Sequence, residues 1–327
     1  LARFAGARLY HAEVEGLDLD ARQVLASGRP AVDYDLLSIN IGSRPRTLEV
    51  PGALQHAMPV KPIDSWLTQW QALQQRVLAS SGTFRVVVVG GGAGGVELAM
   101  STQHRRRALM AGQGDDPERL HYAVLTDGDA IFSTHNAGVR RRFTRILGER
   151  GIVLHTGHRV VEVTADAVHA EGRTARQADA VLWVTQASAP DWPTRAGLAV
   201  DEAGFIQVNR YLQSRSHPEV FAAGDIAAMP DPRPKSGVFA VRQGPVLTEN
   251  RRRASRGRAL KPYRPQRNFL GLISTGDRYA VASRGGWSIE GAWLWRVKDW
   301  IDRRFIQRFN ELPEMGADGG PEFADGV

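Results

Sequence analysis

Apolar and polar positions divide the chain into three blocks. In the first, Ala7-Arg8-Leu9-Tyr10-His11-Ala12-Glu13-Val14 alternates loosely, as a half-buried strand does. Gln23-Val24-Leu25-Ala26 follows the turn-rich Asp18-Leu19-Asp20 as a return strand, and residues 34–41 read as a buried strand ending at Gly42-Ser43. The second block opens with Ile63, Trp66, Leu67, Trp70, Leu73, Val77 and Leu78, which recur at three- and four-residue steps and so share one helical face. Such a stripe points to core packing rather than to a cofactor contact. Residues 84–89 then form an apolar run broken only by Arg85, feeding a glycine cluster and a second helix. That is the βα unit of a parallel sheet buried on both faces. Residues 122–125 predict the next strand, and 138–150 a helix ending at Gly151.

The third block repeats the first. Strands are expected at 160–163, 167–170 and 180–184, leading to Ala189-Pro190. Tyr34-Asp35-Leu36-Leu37-Ser38-Ile39 matches Ala178-Asp179-Ala180-Val181-Leu182-Trp183: an acid, a buried strand, a turn and a proline in both places. This reads as an internal duplication of one nucleotide-binding plan. The second copy carries a glycine-rich βα start; that of the first would lie before Leu1, so the first domain is expected to be N-terminally incomplete. Beyond Pro190, a short β stretch and a loop lead to Val220-Phe221-Ala222-Ala223-Gly224-Asp225. An arginine-rich helix end at 251–258, a β module at about 265–284 and a Trp-rich helix at about 291–309 follow. The Gly- and acid-rich residues after Pro313 read as a disordered linker.

The composition is that of a soluble globular protein, 43% hydrophobic and 24% charged over 327 residues. No stretch approaches the roughly 18 consecutive apolar residues of a membrane-spanning helix, and residues 1–6 lack the apolar centre of a signal peptide. A first residue of Leu points to a fragment or an unusual start codon. There is no cysteine, which excludes a redox disulfide, a thiolate metal site and a thiol nucleophile, and agrees with a cytoplasmic location. No metal site is expected. The net charge of +7 is carried almost wholly by arginine and has no nucleic-acid-binding signature beside it, so it reads as a solvated surface and no nucleic-acid partner is expected.

Chemistry concentrates first at residues 86–99. Gly90, Gly92 and Gly95 form G-x-G-x-x-G between a buried strand and a helix, the context that makes this motif informative. Gly90 allows the tight turn, Gly92 lets a pyrophosphate approach the backbone, and Gly95 lets the helix lie close to the sheet. The helix N-terminus adds free N–H groups and partial positive charge. Gly90, Gly91, Gly92, Ala93, Gly94 and Gly95 are therefore the candidate dinucleotide-binding residues. The ribose-binding acid belongs at the end of the next strand, where Thr126 stands, with Asp127 after it; NAD and NADP both stay open.

Gly90-Gly91-Gly92-Ala93-Gly94-Gly95-Val96-Glu97-Leu98-Ala99 resembles the NAD(P)H site of the pyridine nucleotide-disulfide oxidoreductase superfamily. The resemblance implies Glu97 near the nicotinamide, although a first-turn Glu also suits the helix dipole. It implies that the incomplete domain binds FAD. Residues 35–45 resemble the segment closing over FAD, with Gly42, Ser43 and Pro45 kept and Asn40-Ile41 departing from the usual form. Residues 220–225 resemble the second FAD fingerprint, implying that Asp225, after Gly224, bonds the ribityl chain. Pro234-Lys235-Ser236-Gly237 resembles the helix start facing the flavin, where Lys235 would stabilise negative charge. Similar segments occur in sulfide:quinone and flavocytochrome-type sulfide dehydrogenases, which work through cysteines; that route is excluded here. The pattern is nearer type II NADH dehydrogenases. Residues 183–190, with Gln186 where relatives have Gly, and 273–280 resemble the oxidoreductase module fused ahead of selenide, water dikinase; Arg308-Phe309-Asn310-Glu311-Leu312-Pro313 fits the junction.

The expected fold is α/β: two Rossmann-like dinucleotide-binding domains, the FAD domain discontinuous and incomplete with the NAD(P) domain inserted, plus a small C-terminal α+β module. The boundaries are 1–80 and 191–260 for the FAD domain, 81–190 for the NAD(P) domain, 261–312 for the module and 313–327 for the linker. The expected activity is hydride transfer from NAD(P)H through FAD to a quinone-like or other acceptor, with electrostatic roles for Glu97 and Lys235. The alternative is a non-catalytic nucleotide-binding or partner module associated with selenide, water dikinase. In the last helix, Trp293, Trp295, Trp300, Phe305 and Phe309 mix with Arg296, Lys298, Arg303, Arg304 and Arg308. That suits peripheral contact with the inner face of the cell membrane, or packing within the protein or a dimer.

Overall fold

The computed structural model describes residues 1–45, 50–185 and 187–312; Gln186 and the 313–327 tail lie outside the described residues. The molecule is a mixed α/β fold built on a five-stranded parallel sheet. Its order is Ala57–Pro59, Ala180–Trp183, Phe84–Val89, Leu120–Leu125, Ile152–His155. The continuous apolar run of Phe84–Val89 follows from its central place. Phe84, Val86 and Val88 face the helices Ile63–Ala79, Ala93–Gly112 and Ala137–Glu149, packing with Trp66, Leu73, Met100 and Phe143. Val87 and Val89 face the other way, with Leu125 and Trp183, onto the antiparallel meander containing Val160, Val163 and Val168. Both faces are dry, so no polar alternation survives.

The second unit has its own core of Leu17, Ile39, Phe205, Ile206, Val220, Ala222 and Ile226. It holds a meander of Val14–Asp18, Gln23–Ala26 and Val32–Asp33, and the parallel pair Leu37–Ile39 with Val220–Ala222. The helix Gly237–Ala254 follows. The two meanders correspond closely. Each is three-stranded and antiparallel, each first hairpin carries a register break near its start (Val14/Gly16 and Val160/Glu162), and each leads into a strand that pairs in parallel. Asp179 performs a fastening role in its copy, accepting the Arg85 N–H at 2.7 Å and so tying the two central strands together.

Two expectations shift. Residues 7–13 are not strand; the first strand starts at Val14. Alternation alone does not make a strand without a ladder of partner bonds, and here, among the described residues, only Glu13 makes one with the neighbouring segment, its carbonyl accepting the Ser27 N–H at 2.9 Å. Leu9 and Tyr10 are 68% and 49% exposed, and Arg29 covers the Tyr10 ring instead. The strand expected at 34–41 shortens to Leu37–Ile39.

The C-terminal sheet, Gly271–Ser274, Ala280–Arg284 and Trp287–Gly291, joins the first core rather than the second: Ile273 and Val281 pack with Met100 and Phe143. Gly276 approaches so closely that a Cβ would stand 2.7 Å from Ser101 Cα. The Arg142–Glu290 ion pair at 2.7 Å and the Arg150–Asp277 pair fasten the contact. The helix Ala292–Asn310 packs its start on this sheet through Leu294, but every residue from 301 to 310 is exposed.

Candidate functional site

The C-terminal ends of the parallel strands open into a cavity of about 490 Å³, where ligands of open α/β sheets bind. Gly90, Gly91 and Gly92 form one wall, Thr126 and Asp127 a second, His158 and Arg159 a third, and Trp183, Val184 and Thr185 a fourth. The glycines differ in their reasons. Gly90 has φ 131°, and a Cβ there would meet the Val184 carbonyl oxygen at 2.3 Å. A Cβ at Gly95 would stand 2.0 Å from the Gly90 oxygen, so this glycine lets the helix start tuck beneath the turn. Gly92, the helix N-cap, has nothing within 4 Å of its Cβ position. The backbone there is bare toward open space, as a phosphate requires. Ala93 and Gly94 form the first turn behind it. The residues present thus fit a dinucleotide pyrophosphate.

Thr126 is buried and lies against Gly91, where a Cβ would fall 2.6 Å from Thr126 Cβ. Thr185 Oγ1 is buried without a hydrogen-bond partner among the described residues, an orphaned polar atom on the cavity wall. Glu97 is not on that wall. One turn into the helix, its Oε1 accepts the Ser274 N–H at 3.0 Å, and burial raises its pKa above the ordinary carboxylate value against the opposing pull of that bond and of Lys298. In this arrangement Glu97 joins the nucleotide-site helix to the C-terminal sheet.

The residues matched to FAD gather at the second parallel pair. Leu37–Ile39 and Val220–Ala222 run side by side, so Gly42-Ser43 and Gly224-Asp225 emerge together. The buried Ser43 Oγ donates to Asp225 Oδ2 at 3.0 Å, and Lys61 Nζ reaches the same oxygen at 3.2 Å. Gly224 has φ 74°, its N–H donates to Gln243 Oε1 at 2.6 Å, and a Cβ would meet Asn40 Oδ1 at 2.5 Å. A smaller cavity of about 120 Å³ joins Gly224 and Asp225 to Lys235 and Ser236. Ser236 stands at the N-cap position of the helix that begins at Gly237, yet its buried Oγ makes no capping bond and has no partner among the described residues. An acceptor-lined edge meeting a bare helix N-terminus fits a polar ring such as a flavin's. Lys235 is turned: its stem is exposed, while its ammonium donates to the Ala227 carbonyl at 2.7 Å and lies 3.8 Å from the Phe205 ring centre. Burial holds its pKa below the ordinary lysine value, with Asp201 and Asp225 opposing.

Sequence reasoning missed Lys61, His158, Arg159 and Thr185. His158 and Arg159 reach the cavity through the order of the parallel strands, and Lys61 meets Asp225 across two different sheets; Thr185 carried a faint signal, lying at the end of a buried strand beside the glycine turn.

The sequence profile of the pyridine nucleotide-disulphide oxidoreductases matches residues 4–244. The chain belongs to that family. Within it, the chain is 31% identical over 228 residues to a NADH dehydrogenase-like protein of Mycobacterium tuberculosis, covering 68% of this chain and 56% of that protein. It is 25% identical over 300 residues to the demethylphylloquinone reductase NdbB of Synechocystis, covering 88% and 71% respectively. The fold superposes on NDH2 of Plasmodium falciparum in complex with NADH with a TM-score of 0.72 at 13% identity, covering 92% of this chain and 83% of that one. The chain thus spans little more than half the length of its mycobacterial relative.

Proposed function

We propose that this chain is an FAD-dependent oxidoreductase of the NADH dehydrogenase-like kind, taking hydride from NAD(P)H and passing electrons to a quinone-like or other acceptor. The observation that carries this is the bare Gly92 turn facing a 490 Å³ cavity in the same molecule as the Ser43–Asp225–Lys61 cluster. The named relatives, a NADH dehydrogenase-like protein and a demethylphylloquinone reductase, support it. FAD, when bound, supplies the two-electron chemistry. The chain's residues bind and orient. Gly90 to Gly95 and their helix N-terminus hold the pyrophosphate of the nicotinamide cofactor. Thr185 Oγ1 offers it a hydrogen bond, and Thr126 and Asp127 flank its adenosine. Gly42, Ser43, Gly224 and Asp225 hold the flavin's sugar-like chain, with Lys61 fixing the Asp225 carboxylate. Ser236, Gly237 and the charge of Lys235 face its ring edge. Glu97 acts from one turn behind the cavity as a positioning residue. The proposed division is 1–80 with 191–260, 81–190 and 261–312, although Ala57–Pro59 and Ile63–Ala79 pack with the sheet of the inserted half.

The deciding measurement is an anaerobic titration with NADH and NADPH after FAD is added and the excess removed. Retained flavin that bleaches supports the reading; retained flavin that neither cofactor bleaches would sink it. The second reading, a non-catalytic partner of selenide, water dikinase, rests on residues 183–190 and 273–280. Flavin loss together with co-purification of that kinase would favour it.

Among the described residues, no helix is long and apolar enough to cross a membrane. The exposed Trp300, Ile306 and Phe309 beside Arg303, Arg304 and Arg308 support peripheral contact at the inner membrane face. Failure to sediment with anionic vesicles would remove that reading.

A further inference from the structure

The adenosine end of the large cavity has an unusual charge pattern. In dinucleotide sites of this plan an acid at the end of the second strand takes the ribose 2′-hydroxyl, and an arginine nearby accommodates a 2′-phosphate. Here the strand-end position is Thr126, packed against Gly91, so no fixed carboxylate stands there. The facing loop is held in place by backbone bonds: Thr126 N–H to the His155 carbonyl at 2.9 Å, His158 N–H to the Thr126 carbonyl at 2.8 Å, and Gly157 N–H to the Gly128 carbonyl at 3.0 Å. This zipper sets His158 and Arg159 on the cavity wall beside Thr126.

The groups around this end are mostly cationic or able to become so. Arg159 is exposed and has no ion-pair partner among the described residues. His158 is oriented by a 2.8 Å contact from Nδ1 to the Thr156 carbonyl, which leaves Nε2 free to turn toward a ligand. Behind it, the His155 ring centre lies 5.1 Å from that of His158, and His155 Nε2 is buried with no partner. Burial first, and then Arg176 and His158, hold the His155 pKa below its ordinary value. Asp127 is the single acid on the cavity wall among the described residues.

We propose that this site selects NADPH over NADH, with Arg159 as the residue that takes the 2′-phosphate and His158 as its neighbouring contact. The inference rests on the NAD(P)H reading above and adds the choice between the two cofactors. A guanidinium suits the task because its planar fork meets two phosphate oxygens at once.

The test needs no flavin. The full chain is titrated by calorimetry with 2′,5′-ADP, which carries the 2′-phosphate, and with 5′-AMP, which lacks it. The expected result is tighter binding of 2′,5′-ADP, by on the order of tenfold. Arg159→Ala should collapse that ratio to within about threefold, with Arg159→Lys between the two. Asp127→Asn should widen it, since the opposing charge is gone. Equal or tighter binding of 5′-AMP overturns the preference and leaves the nucleotide site standing, as does a ratio that Arg159→Ala does not change. If neither ligand binds at millimolar concentration, the nucleotide reading itself falls and the preference with it. Circular dichroism of each variant identifies any that has simply failed to fold.

Discussion

The two nucleotide-binding halves share a plan but not a finish. In the inserted half, five parallel strands lie between three helices and a meander, and the glycine turn is shaped by backbone: Gly90 meets the Val184 carbonyl, and Gly95 meets Gly90. In the other half, the parallel pairing among the described residues is two short pairs, Leu37–Ile39 with Val220–Ala222 and Ile206–Gln207 with Ala227–Ala228, and its site is shaped by side chains: Asn40 against Gly224, Ser43 and Lys61 on Asp225. Backbone does not yield, because moving it breaks ladder bonds on both sides. Side chains yield by changing rotamer, at a cost of order 1 kcal/mol. The first site is therefore expected to be rigid before any ligand arrives, and the second to be adjustable.

The largest test of that contrast sets Gly95→Val against Gly92→Val. At Gly95 the nearest atoms the new side chain must displace are the Gly90 backbone, so a loss of about 3 kcal/mol or more is expected in chemical denaturation. At Gly92 the Cβ enters open space, so stability should change by less than about 1 kcal/mol. Reduction by NAD(P)H should nevertheless fall by about a hundredfold or more, because the approach of the phosphate is blocked. Equal destabilisation by both would mean that the glycines serve only the fold. Normal reduction in Gly92→Val would remove the cavity's assignment.

A middle-sized effect probes the adjustable half. Gly224→Ala faces a φ of 74° and the Asn40 side chain, and should cost about 2 kcal/mol. Because the clash is with a side chain, Asn40→Ala added to Gly224→Ala should restore about 1 kcal/mol, leaving the backbone strain. Strict additivity, measured by a double-mutant cycle in urea, would show that Asn40 moves aside freely and that strain is the whole cost.

The same contrast explains what could be seen in the sequence. Phe84–Val89, its glycines and the following helix were legible because the signal is local: a run buried on both faces, then residues that only a tight turn explains. The meanders were legible as a repeat, for each hairpin folds on itself. Arg159 and Lys61 were not legible. Arg159 comes to the same cavity wall as Thr126 because Ile152–His155 is the neighbour of Leu120–Leu125, and Lys61 reaches Asp225 across 164 residues of chain. Residues 7–13 carried a strand pattern, but among the described residues their backbone bond to the neighbouring strand's end is a single one, the Ser27 N–H to the Glu13 carbonyl, and no ladder forms. Lys235 was placed at the correct helix start, but its ammonium follows the Ala227 carbonyl and the Phe205 ring, which are partners that sequence order does not reveal.

The smallest effect concerns the junction between the rigid half and the C-terminal sheet. Glu97 accepts the Ser274 N–H while burial raises its pKa. A carboxyl whose folded pKa lies above its unfolded one lends its full stability below the unfolded value, about 4.3 for Glu, and loses it as pH rises through the folded value. At neutral pH the ionised carboxylate therefore weighs against the fold, although the Ser274 bond and Lys298 offset part of the cost. Gln keeps an acceptor for Ser274 and carries no charge. Glu97→Gln should match the parent in Tm near pH 4 and exceed it by on the order of 2 °C at pH 8. A difference that is flat with pH would mean that Glu97 is as well solvated in the fold as out of it. A lower Tm for the variant at pH 8 would mean that Lys298 and Ser274 together outweigh burial, making the carboxylate the fastening group between the nucleotide-site helix and the last sheet.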